Sequence, residues 1–290
     1  MVPAHSLRAR REEAVSAIVM PEIILCYHRV ATDSSDPYSL CITPGEFRRQ
    51  MEFVRARCCP VALREVSQSG TQASSRPRLA VTFDDGYLDN LTEASPVLEE
   101  LGLPATFFVT TAGLVEPQAY WWDLLARSSV PDKPKVHHAL VHAPLNTRHQ
   151  ILSELHLAPA RRPDETMPRP MSAEEIRALA SKANHEVGVH TTNHLFLPSQ
   201  PCDVCARELV ECKASLERLL NRPVSSVSYP FGGENEDIAS VARAAGFDVG
   251  VTVRHGVVRH DADPLRLPRI EVKAGMDLAT ILDGLVGDPR

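Results

Sequence analysis

Long apolar runs are missing from this 290-residue chain. No stretch approaches the roughly 18 apolar residues that a membrane-spanning helix needs, so such a span is not expected. Aromatic residues make up only 5%, which leaves little material for an extended stacking platform along a glycan. There is no excess of basic charge. The 31 Lys and Arg are outnumbered by 37 Asp and Glu, for a net charge of -6, and no long basic run occurs, which argues against binding nucleic acid through its phosphates. The seven cysteines lack the spacing of a small disulfide framework, since the number is odd and Cys58 adjoins Cys59. That usage predicts a reducing compartment. Cys202-Asp203-Val204-Cys205 has no second pair to complete a zinc site and reads, with Cys212, as ordinary thiols on a helical stretch. Near the start, basic Arg8 to Arg11 run straight into Glu12 and Glu13. The next apolar stretch is broken at Pro21-Glu22 and has no small-residue cleavage site. The expectation is a cytoplasmic protein.

What is present is the alternation of a βα protein. Short β-branched runs predict strands at Ile23 to Tyr27, Leu79 to Phe83, Ala105 to Val109, Glu186 to His190, Ser226 to Tyr229, Asp248 to Val253 and Leu265 to Ile270. Helical patterns fit between them, at Pro44 to Ala56, Ala94 to Leu101, Ser172 to Ala183, Asp203 to Leu220 and Glu236 to Ala245. Ser172-Ala173-Glu174-Glu175 is a capping-box signature. Seven strands with intervening helices predict an α/β fold, a parallel (β/α) barrel whose chemistry collects at the C-terminal strand ends. We expect one domain over residues 1–290, with its core at about 23–273. Residues 114–170 break the rhythm and predict a helical or loop insertion over the barrel mouth. Within it, Trp121 and Trp122 either anchor the insertion or line a groove. His137, His138, His142, His149 and His156 lack ligand-like spacing and read as a solvated scatter.

Asp84-Asp85 ends the second predicted strand, and His190 and His194 end the fourth. Successive strand side chains alternate in direction, so one carboxylate can bind a metal while the other faces what the metal activates. Metal-assisted hydrolysis uses that division between a Lewis acid and a base. Two imidazoles and one carboxylate suit zinc, cobalt or nickel, and an i,i+4 spacing brings both His residues together on one helical turn. Each part also has a plain structural reading. Asp-Asp-Gly is a common turn with a helix cap, Gly86 permits a sharp turn, and a lone His pair is often a surface coincidence.

Thr82-Phe83-Asp84-Asp85-Gly86-Tyr87, His190-Thr191-Thr192-Asn193-His194 and Ser228-Tyr229-Pro230-Phe231-Gly232, in this order, resemble the motifs of the polysaccharide deacetylase family, the carbohydrate esterases with the NodB homology domain. Tyr27-His28-Arg29-Val30 and Leu267-Pro268-Arg269-Ile270 resemble segments at the two ends of many bacterial members, and the motif near His28 resembles that of the branch acting on poly-N-acetylglucosamine. The likeness spans about residues 23 to 273. It implies a distorted NodB-like barrel and a divalent metal, usually zinc, held by Asp85, His190 and His194. It also implies Asp84 as general base and the Phe231 backbone N–H, beside Tyr229, as a donor to the oxyanion. The expected activity is N-deacetylation of an amino sugar in a lipid- or nucleotide-linked saccharide, a glycan or a glycosylated metabolite, releasing acetate and a free amine.

Two positions depart from the family pattern. The Arg that usually opens the third motif and pairs with the base is Ser228 here. Arg269 is the candidate replacement, with a surface Arg as the alternative. The usual final Leu-x-His, source of the general acid, is absent, and Ile270-Glu271-Val272 stands in that region. His28 is the candidate acid, a structural His the alternative, and His255 and His260 are weaker candidates. Hydrolysis of a non-sugar amide or linear C–N bond, a non-catalytic glycan-binding module, and an iron(II) oxygenase facial triad are the competing readings.

Overall fold

The structure is a computed structural model that describes residues 22–66, 76–157 and 167–287. The barrel strands are β1 (Glu22–Tyr27), β5 (Arg78–Phe83), β6 (Ala105–Val109), β7 (His185–Val189), β8 (Ser226–Ser228), β9 (Val249–His255) and β10 (Leu267–Glu271). All neighbouring pairs are parallel, and the ring closes where β1 pairs with β5 from Glu22↔Arg78 to Tyr27↔Phe83. Short strands β2 (Arg29–Val30) and β3 (Cys41–Ile42) pair beside the mouth, and β4 (Cys59–Pro60) lies along the first residues of β5.

Helices α1 (Pro44–Arg57), α2 (Ser95–Leu101), α6 (Ala173–Ala180), α7 (Cys202–Leu220) and α8 (Glu236–Ala244) alternate with the strands, and α9 (Leu278–Gly287) follows the last. The insertion supplies α3 (Trp121–Arg127), α4 (Lys133–His142) and α5 (Leu145–Glu154). The capping box forms as its sequence predicts: Glu175 N donates to Ser172 Oγ at 3.3 Å and Ser172 N to the Glu175 carboxylate at 2.7 Å. Helix α6 is shorter than expected because it ends at Ala180.

Strand alternation sorts the side chains into two apolar clusters. Ile23, Leu25, Tyr27, Leu79, Val81, Phe83 and Phe107 pack with helix residues such as Phe47, Met51 and Leu98. Ile24, Ala80, Phe108, Val251 and Leu267 form a separate cluster with Val61, Leu63 and Val66. The second set is the barrel's own filling, and polar residues of the same alternation, Cys26, Thr82 and Arg269, stack above it toward the mouth. At Gly188 an added Cβ would come within 2.5 Å of the Phe108 ring, so only glycine lets that ring fill the barrel. Among the described residues, no helix is long and apolar enough to cross a membrane.

Candidate active site

Asp85, His190 and His194 come together at the strand ends. Asp85 Oδ1 lies 3.2 Å from His190 Nε2 and 3.1 Å from His194 Nε2, and all three side chains are buried. At metal–ligand lengths of about 2.1 Å, these separations subtend roughly 95–100° at one shared ion. His190 Nδ1 donates to the Ser228 carbonyl at 2.8 Å, which leaves the Nε2 lone pair facing the other two donors. Geometry, donor chemistry and this fixed tautomer all fit a first-row divalent metal.

The convergence is not helical. His190 follows β7 and His194 sits in an irregular loop, where Thr191 (φ 63°) and His194 (φ 50°) are left-handed. The loop, rather than a helical turn, folds one imidazole over the other, with ring centroids 4.8 Å apart. Asp85 (φ 68°) and Phe231 (φ 56°) are also left-handed. Strained residues cluster at this mouth, as they do where a fold holds functional groups. The divergence of Asp84 from Asp85 likewise comes from this backbone turn. Gly86 continues it at φ 67°, and a Cβ there would meet Val109 at 2.7 Å.

Asp84 faces inward onto Arg269, which is fully buried and not a surface residue. All five guanidinium N–H donors find acceptors. Nε donates to Thr252 O at 2.8 Å, Nη1 to Thr82 Oγ1 at 3.0 Å and Asp84 Oδ1 at 2.9 Å, and Nη2 to Asp84 Oδ2 at 2.5 Å and Ser228 Oγ at 3.0 Å. Ser228 Oγ also donates to Asp84 Oδ2 at 3.0 Å. The β9–β10 register shifts between Leu267 and Arg269, and this bulge frees the Thr252 carbonyl to receive the arginine. Burial alone would raise the Asp84 pKa, but the Arg269 charge overrides it and holds the carboxyl well below the usual range. Burial likewise opposes ionisation of Asp85, but the adjoining His190 and His194 side chains carry its pKa far down. Burial pushes His194 down to about 4. It pushes His190 down too, but the Asp84 and Asp85 carboxylates prevail and raise it.

A cavity of about 250 Å³ lies over these groups. His28, Phe231 and Val253 line it from the barrel, Tyr38 and Leu40 from the loop after β2, and Trp122 and His137 from the insertion. His137 is therefore not part of a solvated scatter. It stacks on Tyr38 at 4.6 Å and contacts Trp121, whereas His138, His142, His149 and His156 are exposed. Trp122 takes both roles foreseen for the tryptophans: it lines the cavity and donates to Tyr87 Oη at 2.7 Å, anchoring the insertion. Tyr229, expected with Phe231 at the substrate and oxyanion, does not line the cavity. Its side chain is wholly buried and its hydroxyl donates to Leu265 O at 2.9 Å, away from the cavity. His255 and His260 are exposed and line no part of the cavity.

Three contributors escaped the sequence reading. Glu271 lines the cavity, and strand alternation from Arg269 was the signal that could have found it. Glu208 of α7 accepts from Asn193 N at 2.8 Å and Nδ2 at 2.6 Å. Arg148 of α5 donates to Asn193 O at 3.2 Å and His194 O at 3.1 Å. The last two clamp the loop that carries His194, and nothing local in the sequence marks them.

A parallel βα barrel that gathers two imidazoles and two carboxylates in one cavity has the layout of a barrel hydrolase. The sequence model of the family described as Polysaccharide deacetylase matches residues 71–250, and the chain belongs to that family. Its members are deacetylases, hydrolases acting on C–N bonds, and membership implies a carbohydrate substrate. A Bacillus subtilis (strain 168) protein, YxkH, named for the same family, is 23% identical over 277 residues, covering 92% of this chain and 78% of its own. Among solved structures, the Streptococcus pyogenes deacetylase PplD in complex with acetate superposes with a TM-score of 0.67 at 19% identity. That match covers 92% of this chain and 98% of PplD. IcaB from Ammonifex degensii superposes at 0.63 with 24% identity, covering 88% and 92%.

Proposed function

We propose that this chain is a metal-dependent N-deacetylase acting on the terminal acetamido group of an amino sugar. The observation that carries the proposal is the joint geometry of one cavity. Asp85 Oδ1 lies within 3.2 Å of the Nε2 atoms of both His190 and His194, and Asp84 is held ionised beside them by Arg269 at 2.9 Å.

Asp85, His190 and His194 would hold a divalent metal, with zinc, cobalt and nickel all suited to the donor set. When bound, such an ion lowers the pKa of water and polarises an amide carbonyl. Asp84 accepts the proton of the attacking water, and the two hydrogen bonds from Arg269 keep the carboxylate aimed. The Phe231 N–H donates to the developing oxyanion. His28, half-buried in the cavity wall, gives a proton to the leaving nitrogen as the C–N bond breaks. Acetate and a free amine depart.

The size and lining of the cavity favour a single sugar. Its roughly 250 Å³ falls below the usual range of about 300–1,000 Å³ for ligand sites. The Tyr38–His137 stack joins the loop after β2 to the insertion, and a continuous glycan would have to pass that contact. A lipid- or nucleotide-linked sugar presented end-on fits better. The apolar lining from Leu40, Trp122, Phe231 and Val253 also suits a non-sugar amide, the second reading. The seven free thiols fit a cytoplasmic reaction.

The test is acetate release from terminal and internal N-acetyl groups by metal-loaded protein. One acetate per acceptor chain is expected. Release along a polymer would refute the end-on reading, and no release from any amino sugar would refute the activity.

A further inference from the structure

We propose that Cys26, His28 and Asp84 form a second, softer metal site, one that captures thiophilic divalent cations such as excess zinc or cadmium. Their ligand atoms lie within 4.8 Å of one another. Cys26 and His28 are two residues apart along β1 and its end, so both side chains face the barrel interior. Asp84 ends the adjoining strand, in line with the pairing Tyr27↔Phe83. Cys26 Sγ lies 3.6 Å from Asp84 Oδ2. With Zn–S near 2.3 Å and Zn–O near 2.0 Å, that separation subtends roughly 113° at an ion placed between them, close to tetrahedral.

The surrounding charge suits a dication. Binding turns the thiol into a thiolate and releases one proton to solvent. Thiolate, Asp84 and the neighbouring Glu271, paired with Cys26 in the β1–β10 register, then carry three negative charges. These balance the ion together with Arg269. Asp84 and His28 both line the cavity, which gives the ion a route to the buried sulfur. Thiolate and imidazole ligation selects soft or borderline ions, so the site discriminates against magnesium and calcium.

An ion held here replaces the Cys26 S–H contact on Asp84 and puts a positive charge on the carboxylate that would otherwise take a proton. Its inhibitory consequence rests on Asp84 being the general base; its binding does not. The site is a brake that engages when zinc exceeds what Asp85, His190 and His194 take up.

The experiment titrates cobalt or cadmium into metal-free protein carrying Cys59→Ser and Cys202→Ser, which removes the two cysteines that are not fully buried. Two equivalents should bind. The second should bring a thiolate-to-metal charge-transfer band in the near ultraviolet and the release of a proton, and acetate release should fall with it. Cys26→Ser in this background should abolish the band and weaken the second equivalent by more than the roughly 10–100-fold typical of losing an outer partner. His28→Ala should weaken it similarly, so the test survives a misfolded Cys26 variant. His194→Ala should lose the first equivalent and keep the band. A band that persists without Cys26, or a single equivalent with no band, overturns the proposal. Absence of acetate release at every metal loading would instead refute the deacetylase reading and leave the binding result standing.

Discussion

Replacing Arg269 by Met is the sharpest perturbation the fold offers. The methionine fills much of the volume but removes five donors, two of them on Asp84, and leaves a buried carboxylate without its counter-charge. Breaking a buried pair from one side costs about 3–5 kcal/mol, a large share of a total stability on the order of 5–15 kcal/mol. The pH dependence gives the cause away. In the parent protein the Asp84 pKa is depressed, so its stabilisation is present above the unfolded value near about 3.9 and fades as pH falls through the folded value. Without Arg269, burial raises that pKa instead, and the native state holds a proton that the unfolded chain releases at neutral pH. The stability gap between variant and parent should therefore be widest at alkaline pH and narrow toward pH about 4. Urea unfolding of metal-free protein across that range measures it. The acid limb of kcat/KM should shift upward in parallel. A gap below about 0.5 kcal/mol at pH 8, the scale of a neutral surface change, or one that does not vary with pH, would refute the pairing argument.

Asp84→Asn should lower acetate release by roughly 10²–10⁴-fold, the scale of a lost general base, while metal content by elemental analysis stays at the parent level; His194→Ala should strip the metal. Arg148→Met frees the loop carrying His194 from its clamp, so metal affinity should fall by about 10–100-fold with the ligands intact, as read by competition with a chelator. Burial pushes Asp123 up to about 7, so its native form is increasingly destabilised as pH rises from about 4 to 7. Asp123→Asn, which keeps an acceptor for Tyr87, should remove that slope and gain about 4 kcal/mol at most at pH 8; equal slopes for parent and variant would contradict it. Restoring the family arrangement with Ser228→Arg and Arg269→Ser should return at least part of the acid-limb position that Arg269→Met loses, measured on the same pH profile.

The order of strands and helices was legible because apolar periodicity is a local property, and each barrel strand carries its own run. Asp84, Asp85, His190 and His194 were legible for a similar reason: two short motifs sit at strand ends, and the parallel βα pattern sends strand ends to one face. How the two imidazoles meet was not, since left-handed backbone at Thr191 and His194 depends on Glu208 and Arg148, which lie far along the chain. The same holds for Tyr229, drawn away from the cavity by the Leu265 carbonyl, and for His137, brought to it by the insertion. The sequence by itself determined which chemistry the chain carries, because residue types and their strand-end positions are written locally. Only the tertiary structure decided which arginine holds Asp84 and which side chains wall the cavity. Those choices depend on ring closure, a bulge in one strand and a clamp from the insertion, all of them contacts between segments that do not adjoin in sequence.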